Sequence, residues 1–543
     1  MTNVKFPRKE IEKQIKLTKE NIEKISLFGT PLEKIDDNEI EIEIFPNRPD
    51  LISLQGFLRG FKAFLNKEPG LKKYKLNKPE ENYFVKIEPS VSSVRPYAVC
   101  AIIKNLNFDD EKIKEIVDLQ ERLHKTIGRN RKKVAIGIYP LEKINLPITY
   151  HALHPKDIKF IPLEGKREMS SIQILQKHST GREYAHLLKD CDKFPIFSDS
   201  KNNILSMPPI INSHDVGKIT HQTKEVFIEC SGSHLETLNK TLNIIVTTLA
   251  DMSGKIYQMF IINEEKKTLT PDLTPGKIKI SLENINKLIG LELKEKDLPV
   301  LLSKMGYEYS SPNVLVPAWR TDILHEVDIA EDIAIAYGYD KLMPEISSVS
   351  TLGEESKDNK ISSIISELLI GLQLTETSSY HLIKQRESDL MRLQEKIEVL
   401  DSKTEYKILR PNLLIPTLRN FSENKDHDYP QKIFEIGTIF SKNNKEETGI
   451  EENESLIVAI SPGNFTEIKQ ILDYLMSSLK IKHQVKESTH QSLIEGRTAQ
   501  ISINNKIIGH IGEVKPETLK AWTIKMPLSI LEISLTEIFS IMN

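Results

Sequence analysis

Five carboxylates, Asp322, Glu326, Asp328, Glu331 and Asp332, fall within eleven residues of the stretch VPAWRTDILHEVDIAEDIAIAYGYD at 316–340. All are hard oxygen donors with no His or Cys in the set, so a cation held among them would be magnesium or calcium rather than zinc. On a helix starting near His325, Asp328, Glu331 and Asp332 stand at i, i+3 and i+4 and share one surface patch, beside an inward stripe of Ile329, Ile333, Ala336 and Tyr337. The same spacing also describes an ordinary amphipathic helix, because acids are favoured near helix N-termini and a polar face opposite an apolar stripe is normal. Burial decides between the two. Carboxylates about 5 Å apart repel by about 0.8 kcal/mol in water and about 3 kcal/mol at an effective dielectric of 20, so a half-buried cluster needs a cation and an exposed one does not. Magnesium takes one or two carboxylates directly and keeps its waters, so some of the set would act through water.

Other chemistry is sparse. There is no GxxxxGK[ST], no GxGxxG after a strand, no GxSxG and no HExxH, and only 23 glycines in 543 residues. An autonomous nucleotide-dependent enzyme is not what these motifs describe. His151 and His154 are the nearest approach to a metal pair, but ITYHALHPKD around them reads as a loop. Cys100, Cys191 and Cys230 are far apart and form no CxxC, which excludes a zinc ribbon or a disulfide framework. KTIGRNRKKVAIGIYP carries Lys125, Arg129, Arg131, Lys132 and Lys133 with no acid among them, the local charge density that phosphate contacts require and also that of a solvated loop.

The elements that must position these groups belong to several domains, since 543 residues exceed one core and point to three or four units. Apolar residues at 39% and charged residues at 28% describe a folded soluble chain, and the net charge of −3 gives no general attraction for phosphate. No apolar run reaches membrane-spanning length and the N-terminus lacks the apolar core of a signal peptide, so a cytoplasmic protein is expected. Residues 9–24 read as a helical stretch, EIEIEIF at 39–45 as a strand, and Asp50 as the cap of the helix that follows. Residues 67–81 are Lys- and Pro-rich and read as a linker. Strands dominate 82–262, with helices at 109–127 and 233–251. Two helices are expected at 281–293 and 294–309, the first capped by Ser281, and a further α+β unit follows 359. The expected fold is multidomain α+β, divided at 1–81, 82–265, 269–345 and 355–543.

Several of these stretches together resemble one family, the beta subunit of phenylalanine-tRNA ligase in its archaeal and eukaryotic cytosolic form. IEIEIFPNRPDLIS at 40–53 is similar to the family's N-terminal element, and FSDSKNNILSMPPIINSHDVGKIT at 197–220 with VFIECSGS at 226–233 resembles its editing core. The acidic stretch resembles the signature PxWRxDIxxExDxxEDxAxxYGY. ILRPNLLIPTLRNFSENKDHDYPQKIFEIGTIF at 408–440 is similar to its synthetase-like domain.

The resemblance implies a mixed α/β N-terminal domain, an editing domain, a small helical metal-associated module and a C-terminal antiparallel sheet of class II synthetase type flanked by helices. It implies an (αβ)2 heterotetramer whose alpha subunit binds ATP and phenylalanine, forms the adenylate and charges tRNA(Phe), with this chain as the non-adenylating subunit that hydrolyses mischarged tyrosyl-tRNA. The missing nucleotide motifs then fit, because Arg410 and the IFEIG strand lack the arginine and acid arrangement of a working site. Magnesium falls on Asp322, Asp328, Glu331 and Asp332, with Glu326 returned to the solvated face. The editing pocket falls on Leu205, Asn212, Ser213, Glu229 and Ser231, against the plainer reading in which Asn212 and Ser213 make a turn and Glu229 faces solvent. His214 and Asp215 stand where family members vary. Arg129, Arg131, Lys132 and Lys133 become tRNA phosphate contacts. A free-standing aminoacyl-tRNA editing hydrolase, or a tRNA-binding scaffold, is the alternative.

Overall fold

The EIEIEI alternation at Glu39–Ile44 survives in three dimensions, with Ile40, Ile42 and Ile44 buried and the glutamates on the opposite face. In the computed structural model, which describes residues 2–542 except 265 and 348, this strand is the centre of a three-stranded antiparallel sheet between Thr2–Pro7 and Leu32–Ile35. The expected helix at 9–24 is instead two short ones, Arg8–Glu12 and Lys19–Leu27, the second capped by Thr18. Asp50 is not a helix cap. It is buried in a tight turn and bound through both oxygens to Arg48, and Ser53 caps the helix Leu54–Phe64 by accepting the Gly56 N–H at 3.0 Å. That helix sends Phe57 and Phe61 into an aromatic cluster with Phe6 and Phe28.

The largest sheet has eleven strands. Val226–Gly232 runs antiparallel between Tyr97–Lys104 and Val134–Pro140, and all seven of its residues are buried, as its position between two strands and under a helix requires. Leu235–Asp251 packs against it. Residues 67–81 are more than a linker, since Leu76–Asn77 adds a short strand parallel to Lys255–Asn263. The segment around His151 is a strand, Ile148–Leu153, with His151 Nε2 at 3.0 Å from Ser198 Oγ of the neighbouring strand, so that histidine serves sheet packing. Its residues alternate buried and half-buried, with Thr149 and His151 on the less buried face.

Further along, a three-stranded sheet of Gly276–Lys279, Glu308–Ser310 and Asn313–Val316 meets the helices Leu282–Ile289, Leu298–Lys304 and Glu326–Tyr337. A single hydrophobic core includes Val4, Phe57, Val226, Leu302 and Ala336, so residues 1–345 form one compact unit in which 81 and 265 are not core boundaries. Residues 346–543 form a second unit. Its seven-stranded sheet is antiparallel except at one edge, where Thr375–Glu376 joins Gln431–Lys442 in parallel. Helices Lys357–Gly371 and Phe465–Ser478 share one core with the sheet, and Leu414–Glu423 shares another. Among the described residues no helix is long and apolar enough to cross a membrane.

Candidate functional site

Glu229 lies at the middle of Val226–Gly232, directly opposite Gly137 on one side and Cys100 on the other. A Cβ on Gly137 would stand 2.7 Å from Glu229 Oε1 and 2.1 Å from the Tyr139 hydroxyl, so glycine there leaves the room in which glutamate and tyrosine meet. Tyr139 donates to Glu229 Oε1 at 3.0 Å and lies 3.3 Å from Asn212 Oδ1, and Ser206 Oγ approaches Oε1 at 3.4 Å. The second oxygen, Oε2, is buried and has no partner. Burial pushes this carboxyl up to about 8, against the hydrogen bond from Tyr139 and the more distant charge of Arg95, so at neutral pH it is protonated. A neutral carboxyl can both donate and accept, which an ionised one cannot.

This group lines a cavity of about 220 Å3. Asn212 lines it too, whereas Leu205, Ser213 and Ser231 are buried away from its wall. Asn212 ends the strand Ile211–Asn212 and Ser213 bridges Pro162, its N–H donating to Leu205 O at 2.8 Å, and only its Oγ, accepting from Asp215 N at 3.3 Å, belongs to a turn. Ser231 offers its carbonyl to Arg95 at 2.6 Å, and its hydroxyl has no partner. Glu229 does not face solvent from a strand edge, because neighbouring strands cover it on both sides. Much of the remaining polar wall was not legible in sequence, including Glu121 and His124 from the helix Asp110–Lys125, Arg131 from the loop after it, His178 from between two short helices, and Ser206. No spacing rule joins segments so far apart in the chain.

Arg131 belongs to this wall and not to a phosphate-facing patch. Its guanidinium sits over the Tyr184 ring at 4.3 Å and donates to Glu121 Oε1 at 3.1 Å and to Ile210 O at 3.0 Å. Residues Arg129, Asn130 and Arg131 are all left-handed, with φ of 47°, 52° and 65°, and this turn carries Arg131 inward. Glu121 is held down to about 2 by its hydrogen bond with His124 and by Arg131. His124 Nε2 accepts the Ile136 N–H at 2.8 Å, which leaves the proton on Nδ1, facing Glu121. Lys132 remains exposed, and Arg129 and Lys133 line a larger cleft of about 1170 Å3.

The acidic stretch lines the same cleft. The helix spans Glu326–Tyr337 with His325 as its cap, and Asp322, Asp328, Glu331 and Asp332 all line the cleft. Their partners differ. Arg320 binds Asp322 through two bonds of 2.8 and 2.7 Å and Asp332 at 2.8 Å, and Tyr307 also donates to Asp332. Asp328 Oδ2 accepts the N–H groups of Leu324 and His325 at 2.7 and 2.8 Å, closing the helix N-terminus. Glu331 is exposed and makes no hydrogen bond among the described residues, and desolvation with the charges of Asp332, Asp322 and Asp328 raises its pKa. Glu326 is not idle on a wet face, because it accepts from Ser281 N at 3.0 Å and Asn284 Nδ2 at 2.8 Å and ties down a second helix.

As a direct cage of four carboxylates this set does not fit a metal. A guanidinium already neutralises two of its members, and among the described residues no three His, Cys, Asp or Glu side chains converge as ligands.

In the second unit, Arg410 and Glu435 are buried together, at 2.6 Å between Nη1 and Oε1. Arg410 Nε donates to Thr438 O at 2.8 Å, and Glu435 accepts from the Ser379 N–H and hydroxyl at 3.1 and 2.7 Å. The arginine and acid meet here and are consumed by each other.

Comparison with known proteins places both units. Residues 278–339 match the family model described as tRNA synthetase B5 domain, and residues 342–535 match that described as phenylalanyl tRNA synthetase beta chain CLM domain. The chain is 38% identical to the phenylalanine–tRNA ligase beta subunit of Thermococcus sibiricus over 499 residues, covering 90% of this chain and 89% of that one. It is 34% identical to that of Archaeoglobus fulgidus over 542 residues, covering 98% and 97%. The crystal structure of an N-terminal fragment of the phenylalanyl-tRNA synthetase beta subunit from Pyrococcus horikoshii matches with a TM-score of 0.59 and 38% identity, covering 62% of this chain and 99% of that fragment.

Proposed function

Because this chain belongs to the phenylalanine–tRNA ligase beta-subunit family, we propose that it is the non-adenylating subunit of a cytoplasmic class II ligase, joined to an alpha subunit in an (αβ)2 tetramer. We propose further that its first unit removes tyrosine from mischarged tRNA(Phe). The observation that carries the second proposal is the protonated, half-partnered carboxyl of Glu229 on the wall of a cavity of about 220 Å3. Tyrosine differs from phenylalanine by one hydroxyl, and an apolar pocket rejects such a pair weakly. A buried group that must hydrogen-bond the hydroxyl discriminates by orders of magnitude, because without it the group stays unpaired. Glu229 Oε2 supplies that partner, and Tyr139 fixes its orientation from Oε1. Hydrolysis itself breaks the ester between the tyrosyl carbonyl and the terminal ribose with one water, releasing tyrosine and free tRNA.

The closed Arg410–Glu435 pair supports leaving adenylate formation to the alpha subunit, since a guanidinium spent on an internal carboxylate is not free for a phosphate. Magnesium on this chain is proposed only as a hydrated ion on Glu331 and Asp328, the two candidates that Arg320 does not hold, where it would screen their repulsion. Arg129, Lys132 and Lys133 remain the proposed tRNA phosphate contacts.

Purified chain, mixed with ATP and phenylalanine, is expected to form no adenylate alone and to support tRNA charging when co-expressed with an alpha subunit. Adenylate formation by this chain alone would refute the division of labour. A monomer with no affinity for the alpha subunit that still deacylates tyrosyl-tRNA would favour the free-standing hydrolase.

A further inference from the structure

Between the helix Leu54–Phe64 and the segment around Trp319 the first unit encloses a cavity of about 210 Å3. Its wall carries four cations, Arg48, Arg59, Lys72 and Arg320, and two carboxylates, Asp50 and Glu68. Both carboxylates are engaged already: Asp50 holds Arg48 through two bonds of 2.9 Å, and Glu68 pairs with Lys62 at 2.8 Å. The acids that balance the other cations are not on the wall. Asp251 meets Arg59 at 2.7 Å and Lys72 at 2.9 Å, and Asp322 and Asp332 meet Arg320 at 2.7 and 2.8 Å, yet none of the three lines the cavity. The carboxylates therefore hold Arg59, Lys72 and Arg320 from outside the wall, on which cations outnumber acids.

Two nitrogens carry the mark of this. Arg59 Nη2 and Arg320 Nη1 are buried without a hydrogen-bond partner, in side chains only 7% and 2% exposed. Arg59 lies over the Trp319 ring at 4.4 Å and Arg320 over Tyr307 at 5.3 Å, but a ring beneath a guanidinium meets its face, while the N–H donors lie in its plane. An unsatisfied buried donor costs about 1–3 kcal/mol, and more when charged. An acceptor with several negative oxygens relieves this cost.

We infer that this cavity binds a phosphate-class oxyanion between Arg48, Arg59 and Arg320, with Lys72 at its mouth. A space of about 210 Å3 admits a tetrahedral anion with part of its hydration. Guanidinium forks suit such an anion better than ammonium groups would, because they offer paired donors in one plane. Inorganic phosphate and the terminal phosphate of a small metabolite share this chemistry. The site is separate from the Glu229 pocket and does not depend on the editing proposal.

The test is calorimetric titration of the full chain with sodium phosphate and, separately, with glycerol phosphate, each against sodium chloride at matched ionic strength. Saturable binding is expected for phosphate and none for chloride. Binding of phosphate alone assigns the free anion, and binding of both assigns a phosphomonoester. Lys72→Ala, at a side chain 42% exposed and so without risk to the core, is expected to weaken binding by roughly tenfold, the worth of one charge-assisted contact. Arg59→Lys, which keeps the charge and removes the fork, is expected to weaken it at least as much. Heats indistinguishable from chloride would overturn the inference and leave the cavity to water. So would an affinity unchanged in Lys72→Ala, a result that stands even if Arg59→Lys fails to fold.

Discussion

Glu229 and Glu435 are the same residue in closely similar settings, each on a strand within a sheet and each about 2% exposed. Glu435 is closed. Arg410, Ser379 N–H and Ser379 Oγ take up its oxygens, and Gly437 makes way for the arginine, since a Cβ there would stand 2.3 Å from Arg410 Nη2. Glu229 is open, with one oxygen bonded to a tyrosine, the other without a partner, and the residue itself on the wall of a cavity. Burial is equal in the two, so burial does not make a site. What separates them is whether the fold finishes satisfying the group or leaves part of that work to a ligand.

The largest effect is expected from breaking the closed member. Arg410→Met strands a buried carboxylate and is expected to cost about 3–5 kcal/mol in denaturant unfolding of the second unit, most of it regained in Arg410→Met with Glu435→Gln. Equal stability of the single and double variants would show that the pair is not coupled.

The open member should reveal itself through pH. Its carboxyl is raised from 4.5 to about 8 in the folded state, so the folded chain keeps a proton that the unfolded chain has lost. The stability this contributes is complete below the unfolded value and is lost as pH rises through the folded one. Between those values, wild type is expected to lose up to about 1.4 kcal/mol per pH unit relative to Glu229→Gln, which cannot ionise. Comparison of the two proteins isolates this residue from Glu115 and Glu532, which burial pushes up to about 7 in the same direction. Parallel stability curves would mean that Glu229 is ionised in the folded protein.

A surface charge outside both sites sets the floor. Lys132→Ala is expected to leave stability unchanged and to lower the salt slope of tRNA binding by about one, the share of a single phosphate contact. Arg131→Ala, at an inward-facing residue, is expected instead to loosen the cavity wall and lower thermal stability.

The contrast between open and closed was only partly legible in the sequence. Periodicity found the strand at Glu39–Ile44, the helix at Glu326–Tyr337 and the i, i+3, i+4 acids, because these are local facts of one element. It could not find that Arg320, two residues before Asp322, folds back to neutralise it and Asp332 as well, nor that Asp328 spends an oxygen on its own helix N-terminus. The same holds for Arg131. Its neighbours in sequence are basic and suggest a phosphate patch, whereas three left-handed residues turn it toward Glu121, a partner on the preceding helix that nothing in the basic run announces. Glu229 was named from the family resemblance, but its openness rests on Gly137 and Tyr139 of a different strand. Which groups are left unpaired is a property of the packed structure, and sequence patterns report it poorly.

The most direct test is to compare hydrolysis of tyrosyl-tRNA(Phe) with that of phenylalanyl-tRNA(Phe) by wild type and Glu229→Ala in the assembled ligase. Wild type should clear the tyrosyl ester far faster than the phenylalanyl one, and the variant should lose about 10–100-fold of the tyrosyl rate, since leaving the tyrosyl hydroxyl buried without its partner costs about 1–3 kcal/mol. Discrimination that survives intact in Glu229→Ala would contradict the account.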